Sequence, residues 1–165
     1  VKELKQHNLK KILKIDVNKK QVGSDRLANA ISVINNKDNF IILDFGRATT
    51  FDVVIKNRYK GGIIAPGVNL SLKTLVEKAK LIPNTELTKI KNIIGKNTQN
   101  AVRSGFYWGY QGLIQNIINI IEKKTKKKFK IIFTGGLSHL YRNTLKKKII
   151  VDKDLTVKGL LRLIN

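Results

Sequence analysis

The chemistry-bearing residues of this chain gather in FIILDFGRATTFD, residues 40–52. An apolar run ends in Asp44, a turn follows through Gly46 and Arg47, and a second β-prone run begins at Ala48 with Thr49 and Thr50. A carboxylate at such a tip holds a cation or its water, while Gly and small hydroxyl residues let backbone N–H groups approach a phosphate. Phosphoryl transfer also needs a base beside the attacking hydroxyl. Asp25 is the candidate base: it opens a helical segment beside Arg26 and is of a type that orients an alcohol and takes its proton. Arg26 brings a planar fork suited to a carboxylate. Each residue has a plainer role. The Asp44–Gly46 tip reads equally as an ordinary hairpin turn, Asp25 as a helix cap, and Arg26 as a helix arginine paired with a surface acid.

These groups need elements to place them. Leu27, Ala30, Ile31 and Ile34 recur at helical spacing, with Ser24 or Asp25 where an N-cap belongs. Residues 35–39 form a polar break and a candidate domain boundary. Strands are expected over 40–44, 49–56 and 59–64, stopped by Ala65-Pro66-Gly67. A helix over 68–79 follows, with Leu72, Leu75, Val76 and Ala79 on one face. The strongest helical pattern runs over 98–123, capped by Asn97 or Thr98. Along it Gly105, Gly109 and Gly112 form a stripe, and because Gly weakens a helix by roughly 1 kcal/mol relative to Ala, the stripe predicts a close backbone contact, either with a packed helix or across a subunit interface. A short strand over 130–133 ends in Thr134-Gly135-Gly136, followed by a helix over 137–145, a strand over 149–151 and a helix over 157–164. Residues 1–20 offer Leu4, Leu9, Ile12, Leu13 and Ile15 to a helix or a helix-to-strand passage. The alternation implies an α/β domain with a mixed sheet.

Composition narrows the classes. The 165 residues suffice for one ordinary domain. No apolar run reaches the ~18 residues of a membrane span, and no signal peptide opens the chain. There is no Cys, and His7 and His139 are the only histidines, so a disulfide framework or a multi-His metal site is not expected. These features fit a cytoplasmic protein. The formal charge is +22, from 33 Lys and Arg against 11 Asp and Glu. That suggests nucleic acid, yet Lys greatly outnumbers Arg, the residue base-edge readers favour, and it is spread along the chain. Weak, salt-sensitive polyanion binding is expected, without a specific nucleic-acid partner. The chain begins with Val and contains no Met, so it is expected to be a fragment or a processed piece.

Asp44 to Asp52 resembles the second phosphate-binding motif of the type III pantothenate kinases, members of the acetate kinase/sugar kinase/Hsp70/actin superfamily. Four further blocks match that family in order: Gly23-Ser24-Asp25-Arg26, Gly61-Gly62-Ile63-Ile64-Ala65-Pro66-Gly67, Gly95-Lys96-Asn97-Thr98 followed by Ser104-Gly105, and Thr134-Gly135-Gly136. The resemblance runs from about Gly23 onward. It implies a ribonuclease H-like actin/Hsp70-type domain with a mixed sheet over 38–165, and a remnant of a first similar domain over 1–37. It implies ATP-dependent phosphorylation of pantothenate at its 4′-hydroxyl, the first step towards coenzyme A, in a homodimer using Mg2+ and a monovalent cation, K+ or NH4+. Asp25 would be the catalytic base. Gly23, Ser24, Arg26 and Thr98 would bind pantothenate, Arg26 through its carboxylate and Thr98 across a dimer interface. Asp44 would hold the metal; Gly46, Arg47, Ala48, Thr49 and Thr50 the phosphates; Gly135 and Gly136 the adenosine.

Two departures matter. The family usually has Thr where this chain has Arg47, which either strengthens phosphate binding or fills nucleotide space. The first phosphate loop of the superfamily, D-x-G-N-T, has no counterpart before Gly23. Loss of the first domain is expected to leave Leu27 and Ile31 without part of their packing. The alternatives are a degenerate, non-catalytic relative that binds a ligand or partner, and a polyanion-binding basic protein supported only by charge.

Overall fold

A computed structural model describes residue 9, residues 12–143 and residues 145–164. Its centre is a mixed six-stranded sheet in the order β1-β4-β3-β2-β5-β6. The strands are β1 (Lys14–Ile15), β2 (Asn39–Phe45), β3 (Ala48–Ile55), β4 (Arg58–Pro66), β5 (Lys130–Gly135) and β6 (Ile149–Val151). β2, β3 and β4 form an antiparallel meander, β5 and β6 add in parallel to β2, and β1 adds in parallel to β4. The helices are α1 (Ser24–Val33), α2 (Val68–Lys78), α3 (Thr98–Thr125), α4 (Ser138–Tyr141) and α5 (Leu155–Ile164).

Alternation along the strands makes two cores. Ile41, Leu43, Phe45, Phe51 and Val53 point to one face, where Tyr107, Ile114, Ile118 and Ile121 of α3 cover them. Phe40, Ile42, Val54, Tyr59 and Ile132 point to the other, beneath Leu27, Ala28, Ala30 and Ile31 of α1 and Leu155 of α5. Side chains of one strand face both layers because successive Cβ atoms alternate. This double cover accounts for the weak apolar–polar alternation of the sequence.

Several expectations are corrected here. Leu27 and Ile31 are fully buried, so α1 is not left uncovered. Neither Ser24 nor Asp25 caps α1; Gly23 is the N-cap, without a side-chain hydrogen bond. α3 is capped by Asn97, whose side chain accepts from the Asn100 N–H at 2.8 Å. α4 is a single turn rather than a helix over 137–145. On α2 only Val68 and Leu72 are buried, and Leu75 is exposed. The Gly105, Gly109 and Gly112 stripe meets no other atom within 4 Å of where a Cβ would stand, so among the described residues it has no close-packed partner. Of the helix or helix-to-strand passage expected over 1–20, residues 1–8, 10 and 11, including Leu4, lie outside the described residues; Lys14–Ile15 is a strand and Lys19–Gln21 a 3-10 turn.

Candidate active site

Strand alternation decides which side chains of the 40–52 stretch meet. Asp44 follows Phe40 and Ile42 on the α1 side of β2. Thr50 lies directly opposite it on β3, and Thr134 directly opposite on β5. Asp52 shares that face of β3, two residues beyond Thr50. α1 runs over this face and brings Asp25, Arg26 and Asn29 to it. Asp25 lies close enough to raise the pKa of both Asp44 and Asp52 through its charge. The sheet ends and α1 thus assemble one cluster of carboxylates, a guanidinium, an amide and hydroxyls.

Asp44 is half-buried at the end of β2. Its Oδ2 accepts a hydrogen bond from Asn29 Nδ2 at 3.1 Å. Burial pushes its carboxyl above the usual range; the Asn29 donor opposes this and the charge of Asp25 adds to it. A Cβ on Gly135 would stand 2.6 Å from Asp44 Oδ1 and 2.7 Å from the Phe45 backbone nitrogen. Gly135 also has φ +83°, in the left-handed region. The glycine is thus required by the Asp44 carboxylate and the β2 backbone. Gly136 is exposed with open space around it.

Arg26 reaches across to β3. Its Nε donates to Asp52 Oδ1 at 2.8 Å and its Nη2 lies 2.7 Å from the same oxygen. Tyr59 Oη donates to that oxygen at 2.6 Å, and Thr50 Oγ1 donates to Asp52 Oδ2 at 3.4 Å. Asp52 is fully buried and the Arg26 side chain is 13% exposed. Burial pushes the Asp52 carboxyl up, against the pull of the Arg26 and Tyr59 donors. Burial opposes the Arg26 charge, but the hydrogen bond and attraction to Asp52 hold its pKa above the ordinary value. Burial, then the adjacent Asp52 charge, pushes the Tyr59 hydroxyl up, so it stays protonated and donating. Gly62 admits the guanidinium: a Cβ there would stand 2.6 Å from Arg26 Nη2.

The remaining expected residues divide. Gly23 and Ser24 precede Asp25 at the start of α1, Ser24 and Asp25 exposed, and a Cβ on Gly23 would collide with Asp25 Oδ1. Asp25 Oδ1 accepts from the Arg26 N–H at 2.9 Å. Gly46 and Arg47 are exposed at the β2–β3 turn, closed by the Gly46 N–H donating to the Ala48 carbonyl at 3.1 Å. Gly67 packs against the carbonyls of Gly46 and Arg47 and so supports the turn. Thr49 departs from expectation. Facing the α3 core, it is fully buried, and its Oγ1 has no hydrogen-bond partner among the described residues. Thr49 and Thr50 therefore point to opposite faces and do not present their hydroxyls to one ligand. Thr98 is exposed at the start of α3, on the far layer, and is not brought to Asp25 and Arg26 within one chain.

Asn29, Asp52, Tyr59 and Thr156 complete the cluster without having been singled out by sequence. Asn29 carried a signal: an amide inside an apolar helix face. Asp52 carried one too, a carboxylate between Phe51 and Val53. Among the described residues no group of three or more His, Cys, Asp or Glu is placed to hold a metal ion. Asp44 Oδ1, which accepts no protein hydrogen bond among the described residues, still fits a cation held mainly by phosphate oxygens and water.

The antiparallel meander of β2 to β4, extended in parallel by β5 and β6 and covered by helices on both faces, is a fold of the actin/Hsp70 type. Solved structures share it. A Campylobacter jejuni protein described as a Baf family transcriptional activator matches with a TM-score of 0.68 at 24% identity, covering 94% of this chain and 70% of that one. The Alp12 filament structure matches with a TM-score of 0.56 at 17% identity, covering 83% of this chain and 51% of that one. Within that class, residues 1–120 match the family model of type III pantothenate kinase. The chain is 65% identical over 160 residues to the type III pantothenate kinase of Pelagibacter ubique, covering 97% of this chain and 64% of that protein. It is 42% identical to that of Ruegeria sp. over 144 residues, covering 86% of this chain and 55% of that protein. The chain belongs to the type III pantothenate kinase family, and it spans less than two thirds of the length of these relatives.

Proposed function

We propose that this chain carries the greater part of an ATP-dependent pantothenate kinase of the cytoplasm. The observation behind the reading is that α1 lays Asp25 and Arg26 over the same sheet end that presents Asp44 and Thr50. In this reading Asp25 takes the proton of the pantothenate hydroxyl as its oxygen bonds to the γ-phosphorus of ATP and ADP departs. The exposed Arg26 edge meets the substrate carboxylate, with Gly23 and Ser24 beside it. Asp44 would hold Mg2+, with K+ or NH4+ nearby, and the divalent ion would supply charge neutralisation for the transferring phosphoryl group. Gly46, Arg47, Ala48 and Thr50 line the phosphates, and Gly136 leaves space for the adenosine. Thr98 joins the site from a second copy of the chain, a homodimer that covers the open Gly105–Gly112 stripe. Residues 1–37 are the end of a first domain in the longer protein, and residues 38–165 its second domain.

A second reading, a non-catalytic relative that binds a ligand or partner, draws support from Arg26. Its guanidinium is engaged by Asp52 rather than free for a substrate carboxylate.

Purified 1–165 should be assayed for ATP-dependent formation of phosphopantothenate with Mg2+ and K+. Beside it runs a version joined to the part of the Pelagibacter ubique protein that this chain does not match. Turnover by the joined protein is expected, with little by 1–165. Comparable rates from both would show the additional part to be dispensable, and silence from both would favour the non-catalytic reading.

A further inference from the structure

We propose that Asn29 is a positioning residue for the Asp44 carboxylate, and that Thr156 on α5 fixes Asn29 in the orientation this requires. The geometry stands by itself; the cation that Asp44 is positioned to receive rests on the kinase reading.

Asn29 is fully buried in α1, among Leu27, Ala28, Ala30 and Ile31, which have no exposed surface. Its Nδ2 donates to Asp44 Oδ2 at 3.1 Å, and its Oδ1 accepts from Thr156 Oγ1 at 2.7 Å. The chemistry of the partners settles which way the amide faces. An ionised carboxylate only accepts, so the amide nitrogen must turn to Asp44. The amide oxygen is then left for a donor, and the Thr156 hydroxyl is one. A reversed amide would set oxygen against oxygen in a site where an unmade hydrogen bond carries its full desolvation penalty.

The arrangement grips one oxygen of Asp44 and leaves the other open. Oδ2 is held by the amide. Oδ1 faces the backbone of Gly135, where only the missing Cβ leaves room. A carboxylate fixed in this way presents Oδ1 in one direction, as a cation ligand needs from the groups behind it. Three elements combine to do this, since α5 supplies the hydroxyl, α1 the amide and β2 the carboxylate. The Thr156 hydroxyl donates to Asn29, so its effect on Asp44 passes through that amide.

The test uses Thr156→Val, which keeps the side-chain volume and removes the hydroxyl, and Thr156→Ser, which keeps the hydroxyl. Binding of Mn2+ with ATP to the 165-residue chain is followed by the electron paramagnetic resonance of the free ion, with Asp44→Asn as the loss-of-site control. Thr156→Val should weaken Mn2+ binding by about tenfold, the scale of outer-shell effects on metal affinity. Thr156→Ser should retain it, and Asn29→Leu should match or exceed the loss. The Asn29 side-chain amide resonances should lose their hydrogen-bonded shift in Thr156→Val alone of the two Thr156 variants. A folded Thr156→Val chain with unchanged Mn2+ affinity overturns the proposal, and so does lowered thermal stability without any change in affinity. Absence of Mn2+ binding by the unmutated chain overturns it as well. In the joined, longer protein, Mn2+ binding without pantothenate turnover sinks the kinase reading and leaves the positioning role standing.

Discussion

Arg26 places two nitrogens on a single oxygen of Asp52, Nε at 2.8 Å and Nη2 at 2.7 Å. The Nε–Nη2 edge of the guanidinium therefore converges on one oxygen, and Nη1 has no hydrogen bond among the described residues. Asp52 is fully buried, so this contact is the main neutraliser of an otherwise isolated interior charge. Removing one partner of such a pair is strongly destabilising because the other remains buried and unpaired. Asp52→Ala should destabilise the chain by about 3–5 kcal/mol, read as a lower denaturant midpoint. A loss below about 1 kcal/mol would show that Arg26 re-solvates freely and that the pair is a surface-like contact.

Asp25 stands apart from that pair, exposed at the head of α1. In the joined, longer protein, Asp25→Asn should largely abolish turnover while pantothenate binding by calorimetry stays within about twofold, since only the proton transfer is lost. A mutant with the unmutated rate would remove Asp25 from the mechanism.

Arg26→Lys separates the two uses of the guanidinium. A point charge loses the fork geometry, so binding of pantothenate should weaken while binding of its uncharged amide barely changes. Equal weakening of both ligands would mean that Arg26 acts on the fold through Asp52 rather than on the substrate carboxylate.

Gly62→Ala tests how tightly β4 must approach the pair. The new Cβ would meet the Phe51 carbonyl and stand 2.6 Å from Arg26 Nη2. Overpacking of this kind costs about 1–3 kcal/mol, and here the guanidinium must also shift. A thermal midpoint equal to that of the parent chain would show that β4 moves aside without strain.

Asp44 carries a pH signature. Its folded pKa is raised above the ordinary 3.8, chiefly by burial. A carboxyl raised in the folded state contributes stability that is fully present below the unfolded pKa and is lost as pH climbs through the folded one. At neutral pH the ionised Asp44 therefore weakens the fold. Asp44→Asn, which keeps an acceptor for Asn29, should raise the urea midpoint at pH 7 and leave it nearly unchanged below about pH 3.5. A destabilised Asn variant at pH 7 would reverse this sign.

The sequence was most informative where period and punctuation were strong. The meander of β2 to β4, the long α3 and the turn after β5 followed from apolar runs and Gly signals, and the actin/Hsp70 class from the order of motif blocks. Short elements were less legible: α4 is one turn, ending in Tyr141, whose ring stacks on Phe45 with centroids 5.4 Å apart. At the site, residue types near Asp44 were legible but their directions were not. Thr49 and Thr50 look equivalent in sequence, yet alternation sends one into the α3 core and the other to Asp52. Asn29 and Thr156 lie 127 positions apart, and nothing local in either announces the other.

That separation has a consequence for how the chain is made. α1 and β2 leave the ribosome early, while Thr156 emerges on the last helix of this segment. Until α5 arrives, α1 has the sheet beneath it but not its helical neighbour, and the Asn29 oxygen lacks the Thr156 donor. Contacts this distant in sequence form slowly, because a long loop must close before they gain anything. A nascent chain halted before Leu155 would thus carry Asp44 already in its strand but without a fixed direction, which makes α5 the step that matures the site during synthesis.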